Sequence, residues 1–236
     1  MDNLNIEKTF AIAFENHKKN NLIVAIDLYS KILKIEPDNF SVLKNLAAAF
    51  LVKNENQKAI NCFEKTIEID PNFVEAYYNL GILHQKLRSI QKAKSYYEKT
   101  IEIDPNYSRA FNNLGNILES LGDNKKAINS YEKAIEIDPN FVEAISNLGI
   151  IHHRLNSIQK ATSYYEKAIE IDPGYSEAYY NFAVMYGTLG EDEKAKSYYK
   201  KAIEINPNFI NALFNFATLF AKSGEDQKAI DYFEQV

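Results

Sequence analysis

Six asparagines stand at intervals of 34 residues: Asn45, Asn79, Asn113, Asn147, Asn181 and Asn215. Each carboxamide offers two donors and an acceptor, the right chemistry to grip the amide backbone of an extended peptide without reading its side chains. Asparagine is a mediocre helix former, and no intrahelical role is expected to call for it six times. Little else in the chain suggests chemistry. His84 and His152 lie 68 residues apart, whereas a helical metal pair needs neighbours such as i and i+4, so both read as packing residues. Asp70, Asp104, Asp138 and Asp172 each precede a proline, which makes them turn residues and not an acid–base pair. There is no phosphate-cradling glycine loop, no nucleophile elbow and no Cys/His cluster. The sequence predicts no enzyme activity, no metal and no cofactor.

The elements that position the asparagines follow from a second series. All six prolines fall on the same lattice, at Pro37, Pro71, Pro105, Pro139, Pro173 and Pro207. A single globular domain has no reason to space its helix breakers so evenly, whereas copies of one small unit must. Counted from 31 residues before each proline, the repeats start at Ile6, Phe40, Val74, Ser108, Val142, Ser176 and Ile210. The twentieth position is then alanine in all seven, from Ala25 to Ala229. The twenty-fourth is always aromatic: Tyr29, Phe63, Tyr97, Tyr131, Tyr165, Tyr199 and Phe233. The eighth is always small, from Ala13 and Gly81 to Gly149 and Ala217, and the seventh is large and apolar.

One repeat explains the pattern physically. Tyr77, Leu80, Gly81 and His84 recur at three- and four-residue spacing, the stripe of an amphipathic helix. A second stripe runs through Ala93, Tyr96, Tyr97, Thr100 and Ile101 until Asp104-Pro105 stops it. Small residues at positions 8 and 20 let the two helices approach, and the aromatic at position 24 fills the space between repeats. One hairpin cannot cover its own apolar face, so stability must come from stacking. Gly122, Gly190 and Gly224 fall in the turn between helices, where a positive φ is expected; Asn54 and Asn156 suit it less, and Arg88 is the locally inconsistent residue.

This pattern resembles the tetratricopeptide repeat, over residues 6–236, with no Trp at the usual fourth position and a loose first repeat. The resemblance implies an all-α, right-handed solenoid of about seven helix-turn-helix units: 6–39, 40–73, 74–107, 108–141, 142–175, 176–209 and an incomplete 210–236, after a lead-in of residues 1–5. It also implies that position 6 lies on the first helix and faces a concave groove. The asparagines then form a ladder like that of the repeat region in O-linked N-acetylglucosamine transferases. The competing reading is that these asparagines bond to neighbouring repeats. Other groove positions supply Tyr78, Asn112, Asn116, Arg154, Tyr180 and Phe214, a mixture of charge, amide and aromatic platforms. The lysine and asparagine clamp of some family members, which holds chaperone tails, is absent: Lys44 is followed by Ala48, and Asn116 by Ser146 and Ile150.

Composition bounds the partners. A net charge of −5 argues against nucleic acid, which needs a basic footprint. Lysines at positions 19 and 26 are offset by glutamates at position 29, which reads as a solvated outer face. No apolar run approaches the ~18 residues of a membrane span, no export signal opens the chain, and the single Cys62 forms no internal disulfide, so a cytoplasmic setting is expected. The expected function is a protein–protein interaction scaffold binding an extended peptide or partner helix. The alternative is the substrate-presenting or regulatory arm of a larger enzyme such as a glycosyltransferase. The seventh repeat stops before its proline, which predicts self-association through an uncapped end bearing Ile230, Phe233 and Val236.

Overall fold

The computed structural model describes residues 3–236, with side chains from residue 5, and among these every regular element is an α-helix. The described residues hold fourteen helices, and within the two bodies twelve of them pair as six hairpins. These are α1 (Asn3–Lys18) with α2 (Leu22–Leu33), α3 (Phe40–Val52) with α4 (Asn56–Ile69), and α5 (Val74–Lys86) with α6 (Ile90–Ile103); α7 (Ser108–Ser120) and α8 (Asn124–Ile137) come next in the chain. There follow α9 (Val142–Arg154) with α10 (Ile158–Ile171), α11 (Ser176–Thr188) with α12 (Asp192–Ile205), and α13 (Ile210–Lys222) with α14 (Asp226–Phe233).

The punctuation read from the sequence is the punctuation that forms. Helices α4, α6, α8 and α10 end just before Asp70, Asp104, Asp138 and Asp172, whose backbones turn extended ahead of the proline. Each aspartate then accepts from the backbone N–H two residues on, at 3.0, 2.9, 3.1 and 2.8 Å. Asn206 does the same for Asn208 at 3.2 Å, so the carbonyl oxygen and not the charge is what this turn uses. Between the two helices of each repeat one residue has positive φ: Asn20, Asn54, Arg88, Gly122, Asn156, Gly190 and Gly224. Arg88, at φ 56°, is the one among them with a long side chain and no local reason to be there.

Two compact bodies divide the chain, one ending at Ile117 and one running from Leu118 to Val236. In the first, consecutive helices from α1 to α6 pack in order, around buried Tyr29, Leu80, Leu83 and Tyr97. In the second, helices α8 to α14 do the same around Tyr131, Ile145, Tyr165 and Phe182. First helices of successive hairpins also touch, α1 with α3 and α9 with α11. The small residues at position 8 earn their place by direct contact: a Cβ on Gly81 would lie 2.5 Å from the Tyr97 ring, and one on Gly149 would strike Tyr165. Outward-facing Lys99–Glu102, Lys133–Glu136 and Lys201–Glu204 pairs are exposed, as a solvated face requires.

Candidate functional site

All six ladder asparagines sit half-buried on first helices, and the structure ties most of them down. Asn45 and Asn79 donate to the carbonyls of Ser41 and Glu75 one turn earlier, both at 2.7 Å. Asn113 donates instead to the hydroxyls of Tyr78 at 3.3 Å and Tyr97 at 3.5 Å. Asn181 reaches the Ser146 hydroxyl and Asn215 the Tyr180 hydroxyl, each at 3.3 Å. Position 6 thus bonds position 5 of the preceding repeat, a separation of 35 residues each time. Asn147 occupies the same register on α9. Against the expectation of no intrahelical role, Asn45 and Asn79 bond carbonyls of their own helix, while Asn113, Asn181 and Asn215 link neighbouring repeats as the competing reading holds. Asn45, Asn79 and Asn181 each make one such bond, which leaves a second amide hydrogen and the carbonyl oxygen for another molecule, whereas the Asn215 amide serves both Tyr180 and Tyr199.

Two groove residues differ from their expected role. Asn112 is only 7% exposed and donates to Asn113 Oδ1 at 3.4 Å, so it braces the ladder from behind. Tyr78 is no free platform: its ring meets Tyr97 at 6.0 Å and Tyr107 at 4.9 Å, and burial raises its pKa, partly offset by the Asn113 amide. Tyr180 repeats this arrangement against Tyr199 and Phe209. Asn116 is half-buried on α7. Arg154 is half-exposed and pairs with Glu119 at 2.5 Å, and Phe214 presents half its surface beside Phe233.

Glu119 also accepts from the Tyr131 hydroxyl at 2.7 Å, and Gln85 accepts from Tyr97 at 2.8 Å. These bonds between positions 12 and 24 were missed in the sequence, although the recurring polar residue twelve before a tyrosine was their signal. Burial raises the pKa of Tyr97 and Tyr131, so both remain proton donors at neutral pH. His84 and His152 are buried and lie flat against Tyr96 and Tyr164, at 5.3 and 5.5 Å. Among the described residues no His, Cys, Asp and Glu group is arranged to hold a metal ion, and no helix is long and apolar enough to cross a membrane.

Comparison with known proteins bears on this geometry. Models described as "TPR repeat" match residues 49–87 and 115–156. Models described as "Tetratricopeptide repeat" match 74–107, 96–129, 142–175, 176–209 and 198–231. No curated protein matches in sequence. Among solved structures, MamA is 29% identical with a TM-score of 0.66, over 70% of this chain and 97% of that one. YrrB, described as a TPR protein with an unusual peptide-binding site, is 28% identical with a TM-score of 0.61, over 78% of this chain and 95% of its own. A tetratricopeptide repeat protein from Parabacteroides merdae is only 17% identical yet covers 98% of this chain and 91% of its own at a TM-score of 0.84, which speaks for the fold alone. Matched from residue 49 to residue 231, with the turns, small residues and aromatics of the repeat in place, the chain belongs to the tetratricopeptide repeat family.

Proposed function

We propose that the chain is a protein-interaction scaffold that holds an extended peptide along the first helices within a body. The observation that carries this reading is the half-satisfied ladder. Asn45, Asn79 and Asn181 are fixed by one hydrogen bond and keep a donor and an acceptor over, and Asn215 keeps its acceptor. A carboxamide so anchored loses little rotamer freedom on binding, and its remaining N–H and C=O match a peptide bond. The likeness to YrrB, described by its peptide-binding site, supports the same mode. The ladder's likeness to the repeat region of the glycosyltransferases adds spacing without side-chain selectivity.

The test is a random peptide display library panned on the chain, followed by affinities of selected peptides. Asn181→Ala with Asn215→Ala should weaken those peptides about 5- to 30-fold, roughly 1–2 kcal/mol for two lost contacts. Chemical denaturation should show each variant losing no more than about 1 kcal/mol of stability. Unchanged affinity in the double variant would remove the ladder from the binding site.

A further inference from the structure

A pocket of about 280 Å³ opens in the second body between α11, α12 and α13. In repeats three and four the residue at position 12 accepts the hydroxyl proton of the tyrosine at position 24, Gln85 from Tyr97 and Glu119 from Tyr131. In repeat six that residue is Gly187, so the corresponding tyrosine, Tyr199, has no side chain of its own repeat to donate to. Tyr199 is 4% exposed, and burial pushes its pKa up to about 12, against the neighbouring Asn215 amide. Its hydroxyl is therefore a proton donor at the wall of the pocket, with Asn215 beside it and Val184 and Leu219 as apolar sides.

The remaining polar groups show what complements it. Thr188 and Thr218 line the pocket, and each donates its hydroxyl proton to a carbonyl of its own helix, Met185 and Phe214, both at 2.8 Å. Towards the pocket they offer lone pairs only, and His153 Nε2 lies 2.9 Å from the Thr188 hydroxyl. A hydroxyl donor opposite hydroxyl acceptors is the mirror of a carboxamide, whose C=O accepts while its NH₂ donates. A carboxylate would set lone pairs against the threonines, and a hydrocarbon would leave the Tyr199 proton unpaired. We propose that this pocket takes a glutamine side chain from a bound peptide, restoring between molecules the carboxamide–tyrosine bond that Gln85 and Tyr97 make within repeat three. The inference rests on the peptide-binding reading above and names one residue of the partner.

The probe is N-acetyl-glutamine methylamide, titrated into the isotope-labelled full chain and followed by NMR, with the leucine and glutamate counterparts as controls. The glutamine probe should bind saturably in the millimolar range, as befits a fragment of this size, and shift Thr188, Asn215 and Thr218. Tyr199→Phe, which removes only the hydroxyl, should weaken it about tenfold. Gly187→Gln should abolish binding by filling the pocket, and it can fold because a Cβ there meets only Ala195, at 4.0 Å. No saturable shift at these residues, or a leucine or glutamate probe that binds as well, overturns the proposal. Panned peptides separate the two readings. Peptides rich in glutamine that lose affinity in Gly187→Gln support the pocket. Peptides that need Asn181 but ignore Gly187→Gln overturn the pocket and leave the ladder standing. A saturating glutamine probe with no ladder-dependent peptide overturns the ladder and leaves the pocket's chemistry.

Discussion

Tyr78 meets Tyr97 at 6.0 Å and Tyr107 at 4.9 Å; Tyr180 meets Tyr199 at 5.9 Å and Phe209 at 4.9 Å. The asparagine of the following repeat closes each group with a 3.3 Å bond, Asn113 to Tyr78 and Asn215 to Tyr180. Repeats three and six thus build one node with the same geometry, although they lie in different bodies. They differ at position 12, where Gln85 fills the space in front of its tyrosine and Gly187 leaves it open. The rings and the asparagine are common to the two nodes, and the residue at position 12 is not. Binding chemistry in such a chain is written at positions that stacking leaves unconstrained, so equivalent sites can be closed in one repeat and open in another.

The strongest way to break the equivalence is to remove the ring at its centre. Tyr97→Ala and Tyr199→Ala should each cost about 3–5 kcal/mol in chemical denaturation, since both side chains are buried among aromatics. Costs that differ by much more than 1 kcal/mol would show that the two nodes carry unequal shares of stability. Tyr78→Ala should not be neutral, because its ring contacts and its bond to Asn113 are worth about 1–2 kcal/mol together.

Exchanging the differing residue comes next. Gln85→Gly should lose about 1–2 kcal/mol, from helix propensity and one hydrogen bond, while Gly187→Gln should gain about 1 kcal/mol. Opposite signs in the melting shifts are the expected outcome. A loss in both would mean that α11 cannot seat a long side chain at this register, and that the pocket is a requirement of repeat six.

How far the sequence reached follows from what each residue does. Prolines, turn residues and the small positions act on the backbone of their own hairpin, so their spacing alone placed the helices. Tyr131 and Ala127 read as core because helical periodicity sets which face they share. The site was less legible. Tyr78 carries a polar group on the expected face, yet Tyr107 and Asn113, 29 and 35 residues further on, engage it, and such partners leave no mark in a single repeat. The pocket is fainter still, because its signal is a missing side chain at Gly187.

A smaller contrast lies in the turns. Arg88 holds φ 56° where repeat six has Gly190 at φ 74°. A left-handed conformation costs an L-residue about 1–2 kcal/mol, part of which glycine returns as entropy in the unfolded chain. Arg88→Gly should therefore stabilise by about 0.5–1 kcal/mol, read as a higher denaturation midpoint. Gly190→Arg should lose as much.

The last contrast is absent at neutral pH and is read with acid. His84 lies flat on Tyr96, interplanar 12°, where repeat six stacks Tyr186 on Tyr198 at 17°; His152 on Tyr164 repeats it at 8°. Neither ring nitrogen of His84 has a partner. Burial lowers its pKa from 6.5, with Lys92 pushing the same way and Glu64 opposing; His152 is lowered by burial and Lys160 against Glu132. Burial lowers His17 and His153 as well, so all four act with one sign. The unfolded chain binds these protons first, so the stability they allow is complete above pH 6.5 and falls as pH drops towards the depressed values. Melting midpoints should be level from about pH 8 to 7 and decline between about 6.5 and 5, before ordinary carboxylates titrate. His84→Tyr with His152→Tyr, which gives both repeats the stack of repeat six, should flatten most of that decline. An unchanged slope in the double variant would assign the acid sensitivity to His17 and His153, and would make the buried stacks tolerant of charge.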